Sequence, residues 1–211
     1  MVFCTITNSQ ITEINKDLFE KIEQKITDLH QDSDKDSFET IKEKLKNPPI
    51  LNAEDFAQEI IYVILASGFS QKTAKRIFGE ICDYLKQHDK ISGSEIFEIF
   101  RNKNKTDAIA KVWNYRKIYR ESFYSLNSDG EKLDFLQTLP HIGKITKNHI
   151  ARNLGISVVK YDVWIKRLAQ NLEISCDKIF ENLQKETNLP VGYLDAVLWK
   201  ACQIGILFFE K

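Results

Sequence analysis

A single acid stands among basic residues between Leu139 and Gln170. The cations of this segment outnumber the acid Asp162 by six to one: they are Lys144, Lys147, Arg152, Lys160, Lys166 and Arg167. Because the whole chain carries 30 basic and 30 acidic side chains, only a local patch can attract an anionic partner. A carboxylate inside such a patch is suited to stabilising a developing positive charge or to activating water.

The segment LPHIGKITKNHIARNLG, residues 139–155, has the pattern of a tight turn between two helices. Pro140 and Gly143 interrupt a helical pattern, which predicts a helix-hairpin-helix at about residues 130–155. The first amides of the second helix have no partner within the helix, and the macrodipole is positive there. A phosphate is therefore a natural ligand, with the candidate contacts His141, Gly143, Lys144, Thr146 and Lys147. An ordinary helical hairpin with solvated lysines is the alternative.

Asp162 follows an apolar stretch and stands where the next helix, VWIKRLAQ, begins. This position predicts an N-cap, in which the side chain accepts a hydrogen bond from a backbone amide two or three residues later. A carboxylate has two oxygens and about four acceptor positions. Capping a helix therefore does not prevent Asp162 from having a second, chemical role.

The elements around these residues are predicted to be helical throughout. The segment ITEINKDLFEKIEQKITDLHQ has apolar residues three or four positions apart, and AEDFAQEIIYVILASG is apolar on nearly every side, as expected of a buried helix. Gly68 ends that helix, Ser70 caps the next one, and Thr106 is expected to open a long helix. No long stretch alternates in the manner of a strand, so the sequence predicts an all-α protein.

Composition excludes several classes of protein. The longest apolar run, around residues 60–66, is too short to span a membrane, and MVFCTITNSQ lacks the features of a signal peptide. The four cysteines are widely scattered without a CxxC pair, which argues against a zinc site or an iron–sulfur cluster. We therefore expect reduced thiols and a location inside the cell, either cytoplasmic with the nucleoid or nuclear.

The order of these pieces resembles the HhH-GPD superfamily of DNA glycosylases. The family pattern is an L-P-G-[IV]-G hairpin, a helix and then an aspartate, and here Gly143 and Asp162 are 19 residues apart. The segments ILASGFSQKTAKRIF and VGYLDAVLWKACQIG are similar to other helices of the family.

The sequence departs from the family pattern at two positions. His141 replaces the first glycine of the hairpin, and Ile145 stands where strand-cleaving members have a nucleophilic lysine.

This resemblance implies a fold and a mechanism. The fold would have two lobes with a cleft between them: residues 52–138 as a helical barrel, and residues 1–51 with 139–211 as the lobe that carries the hairpin and the catalytic Asp162. The protein would bind double-stranded DNA as a monomer, flip a damaged or mismatched base, and hydrolyse its N-glycosidic bond. A monovalent cation at the hairpin carbonyls is compatible with the resemblance, which implies no other metal or cofactor.

Base flipping needs a side chain that fills the gap and a pocket that receives the base. The turn at residues 68–71 offers Phe69 or Gln71 as the wedge. Aromatic side chains would line the pocket, although each is also suited to plain core packing; the candidates are Trp113, Tyr115, Tyr161 and Trp164. A second basic run, RNKNKTDAIAKVWNYRKIYR, suits either a phosphate-binding groove or an ordinary solvated helix face.

Three other functions fit the sequence. The first is a non-catalytic helix-hairpin-helix protein that binds DNA and has no base pocket. The second is a bifunctional glycosylase and abasic-site lyase that uses another lysine, such as Lys144, Lys147 or Lys160. The third is a helical interaction scaffold with ordinary basic surfaces. Because Ile145 replaces the lyase lysine, the resemblance favours a monofunctional glycosylase, while the sequence does not identify the base.

Overall fold

The structure, a computed structural model, describes residues 6–7, 13–29 and 33–208. Within these ranges the chain forms twelve helices and one pair of two-residue parallel strands. The all-α prediction is confirmed. In chain order the elements are β1 (Ile6–Thr7), α1 (Lys16–Leu29), α2 (Ser33–Lys46), α3 (Ala53–Ala66), α4 (Gln71–Leu85), α5 (Gly93–Ile99), α6 (Lys103–Asn114), α7 (Arg116–Tyr124), α8 (Asp129–Thr138), α9 (Lys144–Asn153), α10 (Val163–Asn171), α11 (Cys176–Thr187), α12 (Val191–Gln203) and β2 (Leu207–Phe208).

The chain divides into two compact units. A discontinuous unit consists of Met1–Pro48 and Gly155–Lys211, and a continuous unit consists of Pro49–Leu154. The hairpin and α9 belong to the continuous unit, whereas Asp162 belongs to the discontinuous unit. The lobes expected from the sequence, with boundaries at 51/52 and 138/139, divide the chain differently and stay a prediction.

Helix α3 forms the centre of the continuous unit, as its nearly uniform apolar composition predicts. Its side chains Phe56, Ile60, Ile61 and Ile64 are fully buried, and the helix packs on α4, α6, α7 and α9. Aromatic rings extend this core, since the rings of Phe56 and Phe123 lie 5.3 Å apart between centroids. Burying a large apolar side chain contributes roughly 1.5–3 kcal/mol. Helix α3 is thus the scaffold against which the hairpin helix α9 packs.

A buried arginine connects three segments of the continuous unit. The Arg116 side chain is 7% exposed, and its Nε donates to Glu54 Oε1 at 2.9 Å. A terminal nitrogen of the guanidinium donates to Asp89, and the other donates to the Trp113 carbonyl at 2.9 Å. The hydrogen bonds from Arg116 lower the pKa of both carboxyl groups. Part of the second basic run therefore stabilises the fold instead of facing solvent.

Helix α12 forms the centre of the discontinuous unit and packs on α1, α2, α10 and α11. Its Tyr193 is buried, and the Tyr193 hydroxyl donates to Glu23 in α1. The start of α12 lies against the chain that leads to Asp162, because a Cβ added at Gly192 would be 3.3 Å from the backbone of Val158. The close approach of α12 therefore holds the segment that precedes Asp162.

Two helix starts in the continuous unit were predicted from the sequence, at Ser70 and at Thr106, and the structure confirms the first of them. Ser70 caps α4, as predicted. The expected start of a long helix at Thr106 is wrong, because the Asn102 side chain accepts from the Lys105 amide at 3.2 Å and begins α6 at Lys103. The helix is also shorter than expected, since Tyr115, at φ −105° and ψ 12°, separates α6 from α7.

Gly155, which follows α9, is the position where the fold depends most clearly on a glycine. Its φ is +87°, and an added Cβ would lie 2.5 Å from the Lys44 carbonyl oxygen and 2.8 Å from Pro48 Cα. We expect Gly155→Ala to lower the free energy of unfolding by about 2–4 kcal/mol, because it adds backbone strain and a clash with backbone atoms.

Gly79→Ala is the matched control for this prediction. Gly79 lies inside α4, and an added Cβ there would have no atom within 4 Å. Alanine is the better helix former by about 1 kcal/mol, so this variant should be slightly more stable than the parent. Urea unfolding followed by circular dichroism measures both changes. Equal stabilities of the two variants would contradict the close packing at Gly155.

Candidate functional site

The hairpin joins α8 to α9 through five residues, from Leu139 to Gly143. The Ile142 amide donates to the Leu139 carbonyl at 3.2 Å, and both side chains are buried. His141 lies in the left-handed region at φ 64°, a conformation that histidine tolerates better than β-branched residues do. The predicted helix-hairpin-helix is therefore present, and two apolar anchors fix its turn.

Thr146 organises the N-terminus of α9. Its hydroxyl accepts a hydrogen bond from the Gly143 amide at 2.7 Å and donates to the Gly143 carbonyl at 3.2 Å. The hydroxyl is thus engaged within the helix end, so Thr146 orients the backbone there. The amides of Lys144 and Ile145 follow in the first turn, where an anion is favoured.

Gly143 is not required by the backbone of the hairpin alone. Its φ of −108° is open to any residue, and an added Cβ would make only an ordinary contact, 3.9 Å from the Thr146 hydroxyl. A glycine at this position does allow a ligand to approach the helix N-terminus more closely than a larger residue would. This geometry suits a phosphate that binds at the start of α9.

The two lysines of the hairpin helix have different surroundings. Lys144 is exposed, whereas the Lys147 side chain is only 18% exposed and its Nζ lies 3.7 Å from Asp134 Oδ1 in α8. Ile145, between them in sequence, is 41% exposed. Lys144 is therefore the better placed of the two to meet a phosphate, because Lys147 is shielded and already faces a carboxylate.

His141 is an exposed residue whose charge state is set by its surroundings. Partial burial of the ring lowers the pKa of His141, and the positive charge of Lys105 lowers it further. The imidazole therefore loses its proton at a lower pH than an ordinary histidine does. Near neutral pH, His141 is suited to donating or accepting a hydrogen bond, more than to neutralising a phosphate by charge.

Asp162 uses its two carboxylate oxygens differently. Oδ1 accepts from the Trp164 amide at 2.9 Å and from the Ile165 amide at 3.3 Å, which confirms the predicted N-cap of α10. Oδ2 lies 3.7 Å from Lys160 Nζ, and the two side chains are 13% and 18% exposed. The cap therefore occupies one oxygen, and the other faces a cation in a poorly hydrated setting.

The surroundings of Asp162 include groups that sequence reasoning gave little weight. Lys160 Nζ lies 5.4 Å from the centre of the Trp199 ring. Burial, with a smaller effect of the Asp162 charge, raises the pKa of Cys202 to about 12, so this thiol stays protonated near neutral pH. Lys160 and Asp162 are two residues apart in the sequence KYD, and this closeness in the chain did carry a signal for the Lys160–Asp162 pair. Trp199 and Cys202 are far away in sequence and gave none.

The turn between α3 and α4 carries the candidate wedge Phe69, and the other candidate, Gln71, is the first residue of α4. Phe69 is 40% exposed, and Gln71 is exposed as well. Gly68 reverses the chain before Phe69 with φ +83°. Both candidates are therefore accessible, and the choice of wedge stays a prediction.

The aromatic pocket candidates are spread over both units. In the continuous unit, Trp113 is buried and donates its indole N–H to the His88 carbonyl at 2.9 Å, whereas Tyr115 is 49% exposed and lies 5.9 Å from the Tyr119 ring. Trp113 thus packs in the core, as the plainer interpretation of the sequence expected. Its role in a pocket stays a prediction, and so does that of Tyr115.

Tyr161 and Trp164 flank Asp162 in the discontinuous unit and pack against its core. Tyr161 lies in the left-handed region at φ 52°, which is uncommon for an aromatic residue, and its hydroxyl donates to Asp177 in α11. Burial and this carboxylate raise the pKa of Tyr161. The structure therefore brings Tyr161, Asp162 and Trp164 together, and separately brings the hairpin and the Phe69 turn into the continuous unit.

The described residues form neither a metal-binding cluster nor a membrane-spanning helix. Among these residues, no group of three or more His, Cys, Asp or Glu side chains is arranged to hold a metal ion. Cys82, Cys176 and Cys202 are free thiols in this part of the chain, and Cys4 lies outside the described residues. None of the described helices has the length and apolar character needed to cross a membrane.

No protein-family model matches the sequence, and no curated protein matches it. Solved structures do match. The 8-oxoguanine DNA glycosylase of Methanocaldococcus jannaschii has a TM-score of 0.69 and 22% identity, covering 90% of this chain and 96% of its own. The same archaeon's 8-oxoguanine glycosylase/lyase in complex with a 15mer DNA containing 8-oxoguanine has a TM-score of 0.66 and 22% identity, over 89% of this chain and 100% of its own.

The 8-oxoguanine DNA glycosylase of Thermotoga maritima is similar over 87% of this chain and 95% of its own, with a TM-score of 0.62 and 17% identity. These likenesses extend over nearly the whole length of each chain, well beyond the short hairpin motif. The likenesses confirm the helical fold that the sequence predicted. This chain has the fold of the 8-oxoguanine DNA glycosylases.

Proposed function

We propose that this protein is a DNA glycosylase that uses Asp162 to remove a damaged base from duplex DNA. One observation carries the proposal. In a fold shared with 8-oxoguanine DNA glycosylases, the aspartate that follows the hairpin has one oxygen that caps α10 and a second oxygen that the cap does not use. The carboxylate is thus rigidly held and keeps an oxygen for chemistry.

The reaction explains why such a carboxylate is needed. Breaking the N-glycosidic bond moves its electron pair to the base and leaves positive charge on the sugar. The negative charge of Asp162 stabilises that developing cation, and the same carboxylate can take a proton from the attacking water. The products are the free base and an abasic site. Low exposure of Asp162 strengthens the electrostatic effect, because less water screens the charge.

The partner in this proposal is double-stranded DNA bound by a monomer. The N-terminus of α9, with Lys144 and His141 beside it, binds a backbone phosphate, and Phe69 fills the gap left by the flipped base. Tyr161 and Trp164 offer aromatic surfaces beside Asp162 for the base pocket. Since the similar solved structures are 8-oxoguanine DNA glycosylases, 8-oxoguanine is the first base to test.

A direct test uses an end-labelled duplex with a single 8-oxoguanine opposite cytosine. After incubation with the protein, hot alkali converts each abasic site into a strand break, which a denaturing gel resolves. The proposal predicts breaks at the lesion that depend on alkali. If neither this duplex nor others with alkylated or mismatched bases yield breaks, the glycosylase proposal is wrong, and salt-dependent duplex binding then separates a DNA-binding protein from a helical interaction scaffold.

We further propose that the enzyme is monofunctional, because Ile145 stands at the hairpin position of the lyase lysine. Borohydride reduces a Schiff base between an amine and the sugar to a stable adduct. We therefore expect borohydride to trap almost no protein–DNA adduct while base release proceeds. Denaturing gel electrophoresis of the labelled duplex measures the trapped fraction, with an unreduced sample as the control.

One observation favours a second candidate, a glycosylase/lyase that uses Lys160. The amine of Lys160 lies 3.7 Å from Asp162 Oδ2, within reach of a sugar that reacts beside that carboxylate. Efficient trapping in the parent protein would contradict the monofunctional proposal. Lys160→Met and Lys144→Met would then identify the amine, because only the variant that lacks the nucleophile loses the adduct.

A further inference from the structure

Lys105 is a buried lysine that the proposed chemistry does not use. It lies in the first turn of α6, is 5% exposed, and donates through Nζ to the Leu65 carbonyl at 3.3 Å and to the Ser67 carbonyl. Burial lowers the pKa of this amine. Removing a cation from water is costly, so a lysine in this position calls for an explanation beyond ordinary surface charge.

The contacts of Lys105 explain how the fold tolerates it. A cation in the first turn of α6 is disfavoured by the macrodipole of its own helix. Its amine reaches the other end of a neighbouring helix, where the last carbonyls of α3 lack intrahelical donors and the dipole is negative. Lys105, a residue of α6, thus caps the C-terminal end of α3. It connects α6 to the first residue of the turn that leads into α4.

The same amine also contacts the side chain that projects from this turn. Lys105 Nζ lies 4.6 Å from the centre of the Phe69 ring, and the Phe69 ring meets Phe100 edge-on at 5.6 Å between centroids. Phe69 is nevertheless 40% exposed, and the Gly68 before it has φ +83°. The half-exposed Phe69 ring is therefore in contact with the Lys105 cation and with the buried Phe100 ring.

We propose that Lys105 is a positioning residue that holds the turn at residues 67–69 so that Phe69 enters the DNA base stack. This inference rests on the proposed function and extends it to a residue that contacts neither the base nor the sugar. Preorganising the turn reduces the conformational entropy that Phe69 must lose on insertion. Without the ammonium, the Ser67 carbonyl and the Phe69 ring lose a shared contact, and the turn explores other conformations.

The test measures base unstacking separately from base release. The probe is a duplex with 2-aminopurine opposite a tetrahydrofuran abasic analogue, whose fluorescence rises when a wedge unstacks the base. At saturating protein, Lys105→Met should lose most of this rise while duplex affinity stays within about twofold. Single-turnover base release should fall by about tenfold, the effect of losing one or two hydrogen-bonding contacts. The matched control is Lys103→Met, which removes an exposed lysine from the same helical turn.

A double-mutant cycle with Phe69→Ala separates positioning from a general structural effect. If Lys105 acts through Phe69, adding Lys105→Met to Phe69→Ala costs nothing further in unstacking or rate. If the two losses multiply, or if Lys105→Met unstacks the base normally, the inference is overturned while the proposed function stands. Lys105→Gln, which keeps a donor, replaces Lys105→Met in the cycle if the latter does not fold. A parent protein that neither binds nor unstacks the duplex would overturn both.

Discussion

Asp162→Asn is expected to give a folded protein that binds damaged DNA and releases base about 10²–10³-fold more slowly than the parent. Asparagine keeps a side-chain oxygen that can accept from the Trp164 and Ile165 amides, so the cap of α10 survives. It lacks the negative charge that would stabilise the developing sugar cation. The structure thus allows one substitution to separate the capping role from the chemical role.

Stability and binding are the controls for this prediction. Because the cap is retained but an ion pair with low exposure is lost, the free energy of unfolding should fall by about 1–3 kcal/mol, which is less than the stability of a typical folded domain. Duplex affinity should be unchanged or higher, since removing a carboxylate reduces repulsion of phosphates. A variant that folds and releases base at the parent's rate would show that Asp162 only caps α10.

Lys144→Glu is expected to weaken duplex binding by about tenfold or more at low salt, for every sequence tested. Lys144 is exposed in the first turn of α9, where the helix N-terminus attracts anions, and glutamate would repel a phosphate bound there. The slope of log affinity against log salt concentration should decrease in magnitude by about one, the share of one phosphate contact. Fluorescence anisotropy over a series of salt concentrations measures both changes.

Two further variants show whether this effect is specific to Lys144. Lys178→Glu is the matched control, since Lys178 is an exposed lysine in the first turn of another helix, α11. It should leave the affinity nearly unchanged. Lys147→Glu should have a smaller effect than Lys144→Glu, because Lys147 is shielded and faces Asp134. Equal losses for Lys144→Glu and Lys178→Glu would remove the hairpin from the interface.

Features set by a few neighbouring residues could be predicted from the sequence. The hairpin and the caps at Ser70 and Asp162 follow from local rules for turns and helix ends. The buried character of α3 also followed, because its apolar residues cover almost every side of the helix. These features include the candidate catalytic residue and the helix end that is proposed to bind a phosphate.

Features that depend on distant partners could not be predicted. In the second basic run, Lys105 and Arg116 have the composition of a solvated surface, yet both are buried against groups from other helices. The ion pair between Lys147 and Asp134 likewise depends on how α8 packs on α9. Sequence periodicity reports which face of a helix is apolar, but it does not report which carbonyls or carboxylates a long basic side chain will reach.

Lys160 lies between these two cases. Its position two residues before Asp162 placed it close to that residue in the chain, whereas its low exposure and its contact with Trp199 depend on the fold. A cation so close to the candidate catalytic carboxylate bears directly on the reaction type. The borohydride experiment therefore decides whether Lys160 is a counter-ion of Asp162 or an amine that reacts.

The most direct measurement of the central claim is mass spectrometry of the free base released from a lesion-containing duplex. Parent protein in excess over duplex gives a single turnover, and Asp162→Asn under the same conditions shows how much release depends on the carboxylate. The proposed function predicts stoichiometric release of one damaged base by the parent and almost none by Asp162→Asn. Absence of any released base from duplexes with oxidised, alkylated and mismatched bases, despite salt-dependent DNA binding, would contradict it.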